Sequence, residues 1–411
     1  MASSHNGQAI AIQNALRWLK SMLVTPDGSG GIYERYLIKE MKVNPWIRPD
    51  CCIESAWSFF RAGEVLGYLE WRRIGEQLAR FAVSLQRSGR GPLHGSFPFY
   101  RFHPQTPDDR DIGDSFGIPN LPEYAWPNDN GKIAAHLVWF FERTGDVRFG
   151  EGARAALSYL MSIQAEDGTF SRTETGDNPT FLGADFVAQP ALALSVGARV
   201  FDNDTYWHSA ERGLRWLDQH AHLSGRMLTS YETAGTEAWR PPASETAIAL
   251  RTFAEAARTH PESWILQRLH TLGDALIRWQ HTSGAIRNCD AESRSASLQN
   301  DPDVTDLVYT DGYALLGLIA AYEVTREDVY LHAARRLADF LMAIQCQSEH
   351  PAWDGSWRGS YHLELRKWHG AANQANPLDE GGMNTAYTGW SAAPICSGLL
   401  TISRHMPDTS R

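Results

Sequence analysis

Five acidic side chains stand where apolar, helix-like runs begin: Asp50 in RPDCCIESAWSFF, Asp129 in WPNDNGKIAAHLVWFF, Asp185 in ADFVAQPALALS, Glu245 in SETAIALRTF and Asp311 in YTDGYALLGLIAAY. Glu54 follows Asp50 by one helical turn, Asn128 adjoins Asp129, and Gln189 follows Asp185 by one turn. Carboxylates in pairs are the working parts of glycoside hydrolysis, one giving a proton and the other activating water or attacking carbon. A separation near ~5 Å implies retention of configuration and roughly 6.5–9.5 Å implies inversion. Burial against an apolar wall would raise the pKa of one of them towards the operating pH. The same positions also have a purely structural use. Asp50 and Ser244 can cap helices through side-chain oxygens, and Glu245 in a first turn suits the helix dipole.

Aromatic and polar residues crowd the segments leading into these acids. Trp46 and Arg48 precede Asp50, Tyr124 and Trp126 precede Asp129, and Trp239 precedes Glu245. Tyr309 and Tyr313 flank Asp311, while Trp357, Asn384 and Tyr387 belong to the last stretch of the chain. Fifteen tryptophans are more than packing alone requires, and several fall in connections. Flat aromatic faces among carboxylates and amides suit a polyhydroxylated ring, whose apolar faces stack and whose hydroxyls take hydrogen bonds. They also describe a general ligand pocket. The connection from Arg87 to Pro127 is long and carries Phe97, Phe99, Tyr100, Phe102, Phe116, His94, His103 and the acidic run 108–111, a composition that predicts a folded cover over a cleft.

The elements that must hold these groups repeat about every 50 residues, the mark of an array. Segments apolar all round begin near Asp50, Asp129, Asp185, Ser244, Asp306 and Met383. One-sided, amphipathic segments precede them at Gln8–Leu23, Leu69–Gln86, Val147–Gln164, Thr205–His220, Glu262–Gln280 and Asp328–Gln345. Buried helices alternating with half-exposed ones predict an all-α fold, an (α/α)6 toroid of six inner and six outer helices. Connections before the inner helices are long and those after them short, which puts the elaboration on one rim. The unbroken alternation over 1–411 predicts a single domain, with 43% hydrophobic residues to fill its core.

A net charge of −10 argues against nucleic acid or an anionic membrane surface as partner. No stretch approaches the roughly 20 apolar residues of a membrane span, and no signal-peptide pattern opens the chain. Five cysteines form neither a disulfide framework nor a zinc spacing, so the expected setting is cytoplasmic, with no metal and no cofactor. The expected partner is a small-molecule or oligosaccharide substrate, bound by a monomer or homodimer.

With these motifs placed, the chain resembles the six-hairpin carbohydrate enzymes, and in particular the unsaturated glucuronyl and rhamnogalacturonyl hydrolases. Arg48-Pro49-Asp50-Cys51-Cys52-Ile53, Asn128-Asp129-Asn130, Ala243–Ala249 and Thr310-Asp311-Gly312-Tyr313 are similar, in order, to four of that family's segments. Pro49 stands where the family has histidine, and Cys51 where it has glycine. The resemblance implies hydrolysis or hydration of a uronic-acid-containing oligosaccharide, with Asp129 protonating a vinyl ether and activating water, and Asp50 as its partner. Two other resemblances compete. Gln164 with Gly168 and Phe170, and Gln345 with Gly355 and Trp357, resemble the Gln-Trp repeats of terpene cyclases, where Asp50 would be a lone acid. Sugar epimerases share the barrel, although their inner-helix histidines have no counterpart here. A non-catalytic glycan-binding toroid would use the same acids only as caps. The toroid further predicts that Asp50, Asp129, Asp185, Glu245 and Asp311 converge on one pocket, that Trp126 and Trp357 stand near its wall, and that crowding raises at least one carboxyl pKa.

Overall fold

Apolar runs with a polar head pack into a ring. The computed structural model describes residues 2–102, 124–170, 183–228, 241–294, 300–347, 350–370 and 382–405. Trp239, Phe116, His103 and the acidic run 108–111 lie outside these residues. The inner helices are α2 (Pro49–Leu66), α4 (Pro127–Thr144), α6 (Asp185–Phe201), α8 (Pro242–Ala257), α10 (Asp311–Thr325) and α12 (Ala393–Ile402). The outer helices are α1 (Ala2–Ser21), α3 (Leu69–Ser84), α5 (Val147–Ser162), α7 (Asp204–Gln219), α9 (Ser263–Trp279) and α11 (Asp328–Ile344). Each inner helix packs on the next, and α12 packs back on α2, so the ring closes. Burial follows the expected division: α4 is buried without a break from Pro127 to Phe140, whereas α3 buries a single stripe through Ile74, Leu78 and Ala82. No helix among the described residues is long and apolar enough to cross a membrane, and all five cysteines are free and buried.

Two inner boundaries differ from the sequence reading. Asp306 lies on a short strand, β5 (Val304–Asp306), and helix α10 starts only at Asp311. Asp306 Oδ2 accepts hydrogen bonds from the amides of Tyr309 and Thr310, so this carboxylate holds the helix entrance from outside. The segment from Met383 begins with β8 (Thr385–Tyr387) and a π turn, Thr388–Ala392, and Pro394 then sets the start of α12. β8 pairs antiparallel with β1 (Arg35–Leu37), Tyr36 lying opposite Ala386. Strands this short carry too few residues for an alternation to show in the sequence. Asp50 and Ser244 are not caps either. Pro49 and Pro242 open α2 and α8, which moves the N-caps back to Arg48 and Pro241. Ser244 Oγ instead donates to the Tyr309 carbonyl.

The glutamines at the ends of the outer helices tie the ring together. Gln164 Nε2 donates to the Gly168 carbonyl of its own turn and to the Ser209 carbonyl of the next outer helix, α7. Gln86 bonds Gly95 and Gly152, Gln280 bonds Gly284 and Ala333, and Gln345 bonds Gly355 and Ala11. The turn glycine rides on the neighbour's backbone: a Cβ on Gly284, at φ +105°, would meet the Arg336 carbonyl oxygen at 2.1 Å. This repeat is therefore a structural tie between hairpins. Its last use, Gln345 to Ala11, bridges α11 to α1, and Gln8 Nε2 reaches the Leu399 carbonyl of α12 to complete the seam.

Helices α4 and α6 carry four of the acid and amide candidates, Asn128, Asp129, Asp185 and Gln189, and approach closely. A Cβ on Gly131 would lie 2.4 Å from Pro190 N and 2.5 Å from the Gln189 carbonyl carbon. Backbone cannot yield as a flexible side chain does, so Gly131→Ala is expected to cost about 1–3 kcal/mol, read from chemical denaturation. A stability within experimental error of the parent would show that the two helices can part freely.

Candidate functional site

Two of the acids at the entrances of the inner helices, Asp50 and Asp129, are held by basic groups from the same rim. Arg48 is the centre. Its guanidinium donates to Asp50 through Nε (3.0 Å) and Nη2 (3.1 Å), to Asp129 Oδ2 through Nη2 (2.7 Å), and to Glu34 Oε1 through Nη1 (3.0 Å). Asp50 and Asp129 thus share one nitrogen, and their Oδ2 atoms lie at most about 6 Å apart, below the usual inverting separation. A planar fork with five donors serves three carboxylates where an ammonium could not.

Lys132 extends the network inwards. It lies one turn beyond Asp129 on α4, within 2.9 Å of Asp50 Oδ2 and 3.0 Å of Glu54 Oε2, with its ammonium 3.1 Å from the Trp390 ring centroid. Tyr313 donates its hydroxyl to Glu54 Oε1 at 2.6 Å. Trp390 donates its backbone N–H to Glu54 and its indole N–H to Asp50. It does so from φ +55°, a region bulky residues avoid, and these bonds hold it there. Burial alone would raise the Asp50 pKa, but Arg48 and Lys132 outweigh it and bring it down to about 2. Asp50 is therefore a fixed anion with both oxygens engaged, and it cannot be the lone proton-donating acid that the cyclase reading required. Crowding does not decide the Asp50 value, because the cations stand between the acids. Where no cation intervenes, burial does raise a carboxyl pKa: Asp306 rises to about 7, and Asp311 lies well above its usual range.

A second chain of contacts runs round the rim from Asp129. Its neighbour Asn128 donates to Asp185 Oδ2 at 3.0 Å, and the Asp185 amide donates to Glu245 Oε2 at 2.7 Å. Gln189, one turn below Asp185, is 1% exposed and its amide nitrogen makes no hydrogen bond among the described residues. Asp50, Asp129, Asp185 and Glu245 are thus joined through shared partners on one rim. Asp311 sits at the same rim but is turned into the connection before its helix, accepting from the Ile286 amide and the Thr305 hydroxyl.

The aromatic candidates divide. Trp46 stacks on Tyr100 (4.2 Å, 7°), and Tyr124, Trp126 and Phe186 continue the cluster towards Arg48, whose guanidinium lies over Phe99 at 4.2 Å. Tyr309 meets the edge of Trp390. Tyr387 accepts a hydrogen bond from Arg35, and Asn384 contributes its carbonyl to the Ile38 amide at the end of the β1–β8 pair. Trp357 is not on the wall. It is fully buried, donating to the Leu341 carbonyl of outer helix α11, because its connection folds back over the outer layer before returning to the rim. The sequence reading missed Glu34, Arg35, Lys132 and the role of Trp390. Lys132 had a signal, being the one Lys or Arg in the buried run from Pro127 to Phe140 of α4. Glu34 had none. Among the described residues no group of three or more His, Cys, Asp or Glu side chains is placed to hold a metal ion.

No protein-family model and no curated protein matches the chain. Solved structures do. The cellobiose 2-epimerase of Bacillus thermoamylovorans B4167 superposes with a TM-score of 0.69 at 11% identity, covering 98% of this chain and 100% of its own. A D-mannose isomerase gives 0.66 at 12% identity over 96% and 97% of the two chains. A family 76 α-mannanase of Bacteroides thetaiotaomicron gives 0.67 at 13% identity over 98% and 97%. These likenesses establish the (α/α)6 toroid, which this chain shares with sugar epimerases, isomerases and glycoside hydrolases.

Proposed function

We propose that this protein is a carbohydrate-active enzyme that works on a neutral sugar at the rim of its inner-helix N-termini, with Asp129 as the reacting carboxylate. The observation that carries this is the Arg48 fork. It brings Asp129 Oδ2 and Asp50 together at one guanidinium, and Asp50 has both of its oxygens taken by Arg48, Lys132 and Trp390. The ion pair with Arg48 favours the carboxylate form of Asp129, so Asp129 acts as a base here, not as the acid of a vinyl-ether hydration. Tyr124, Trp126 and Phe186 form an aromatic wall beside it, and Asn128, Gln189 and Glu245 add amide and carboxylate groups to the same rim.

The described rim carries more acids than cations, and Arg35, Arg48 and Lys132 all lie beside carboxylates or aromatic rings already. That composition favours a neutral sugar over a uronic acid. Several acids and amides around the pocket also favour a sugar over an isoprenoid. Two-carboxylate hydrolysis needs a second, protonated acid, a role Asp50 cannot fill. Proton abstraction from the carbon beside a sugar carbonyl needs a base first, so epimerisation or isomerisation fits the described residues better than hydrolysis. The similar epimerase and isomerase structures agree with this order, and the mannanase keeps hydrolysis as the second reading. Incubation in D2O with cellobiose, mannose, glucose and mannobiose, followed by NMR, separates them. Deuterium at the carbon next to the reducing carbon is the expected result. Unlabelled monosaccharides from the disaccharides would establish hydrolysis instead, and no product from any neutral sugar would remove the enzymatic reading in favour of a binding toroid.

A further inference from the structure

The opposite mouth of the barrel, where the inner helices end, opens into a cavity of about 970 Å³ that reaches inwards as far as Glu54. This is the size of a small-molecule pocket. Most arginines around it are neutralised by carboxylates: Arg61 pairs with Glu64, Arg143 with Glu64, Arg199 with Glu142, and Arg258 with Glu255 and Glu323. Arg404 is exposed at the outer edge. Arg251 differs from all of them. It projects from α8 into the cavity with no hydrogen bond and no ion pair among the described residues, its guanidinium resting 4.9 Å from the ring centroid of Trp139. The nearby acids are already engaged, Glu255 by Arg258 and Glu54 by Lys132 and Tyr313. An arginine cannot shed its proton to relieve this.

Next to Arg251 the wall has the features of a hydroxyl-binding site. Trp57 and Trp139 present rings 5.9 Å apart, and His136 stands edge-on to Trp139 at 4.9 Å. His136 Nδ1 faces the Lys132 carbonyl at 2.8 Å, which makes that nitrogen the donor and leaves Nε2 as an acceptor. Burial, together with Arg251, lowers the imidazole pKa to about 3, so the ring stays neutral at ordinary pH. A fork of donors, a neutral acceptor and two indole faces lie in one cavity.

We infer that the cavity at the C-terminal mouth is a second ligand site, which binds a small polyhydroxylated anion through Arg251, with Trp139 and Trp57 as stacking faces and His136 as hydroxyl acceptor. A sugar carboxylate and a sugar phosphate share this chemistry. The site opens at the mouth opposite the rim and meets the rim network at Glu54, which Lys132 links to Asp50.

Isothermal titration of the full chain with glucuronate, glucose 6-phosphate, inorganic phosphate and glucose tests this. At least one sugar anion should bind saturably and at least about tenfold more tightly than glucose, as a charge-assisted fork requires; which of the two binds better identifies carboxylate or phosphate. Arg251→Gln should weaken that binding about tenfold or more, Arg251→Lys should retain part of it, and Asp129→Asn should leave it unchanged. Quenching of tryptophan fluorescence on titration provides a readout that needs no variant. The inference fails if neither sugar anion saturates, if glucose or inorganic phosphate binds as tightly as the sugar anion, if Arg251→Gln folds and binds normally, or if Asp129→Asn abolishes binding.

Discussion

Asp129→Asn is expected to lower turnover by about 10²–10⁴-fold while the protein melts within a few degrees of the parent, because general-base catalysis contributes about that much. The substitution is close to isosteric. An asparagine oxygen still accepts from Arg48, and Arg48 keeps Asp50 and Glu34, so the rim loses a base without losing its shape. The loss should fall on kcat, with sugar binding by titration little changed, since the aromatic cluster and the Asn128–Asp185 pair are untouched. Deuterium uptake from D2O should vanish with it. A variant that retains more than about a tenth of parental turnover would remove Asp129 from the reaction, since even weak proton-transfer catalysis exceeds that margin.

Arg48→Met is expected to be the most destabilising change at the rim. It leaves Asp50, Asp129 and Glu34 buried with one cation fewer among them, and breaking a buried pair costs about 3–5 kcal/mol. Lys132 would still face Asp50, but nothing described would replace the fork between Asp129 and Glu34. Urea denaturation should show the loss as a lower midpoint with an unchanged slope. Arg48→Lys should recover only part of it, because an ammonium cannot span three carboxylates. A cost below about 1 kcal/mol, the value of an exposed pair, would mean that water reaches the network.

The toroid was legible because hydrophobic periodicity is a property of whole segments. DCCIESAWSFF and the other inner runs are apolar on every face, and the outer runs are apolar on one, whatever their connections do. The candidate acids were legible because residues at helix entrances are punctuated by Pro and Asp, and Asp50 with Asp129 do meet through a shared arginine. What those acids are bonded to was not legible. Lys132 and Trp390 approach Asp50 from 82 and 340 positions away, and such pairings belong to packing, not to local pattern. The lowered Asp50 pKa was not legible for the same reason, because it depends on the cations that packing brings to the acid. Trp357 failed for a related reason, since a tryptophan in a connection reads the same whether the connection faces the pocket or the outer layer.

The seam between α1 and α12 also bears on how the ring is made. Its hydrogen bond from Gln8 to Leu399 spans 391 positions, and Trp18 to Ala352 spans 334, while each helical hairpin closes over a few tens of residues. Loop-closure entropy grows with that separation, and contacts of high order form late. Hairpins can therefore assemble one on another in the order of translation, yet the first outer helix keeps its apolar stripe uncovered until the last inner helix arrives. During that interval the nascent protein is an open arc with two unpartnered edges, the state a chaperone would recognise and in which two copies could exchange ends.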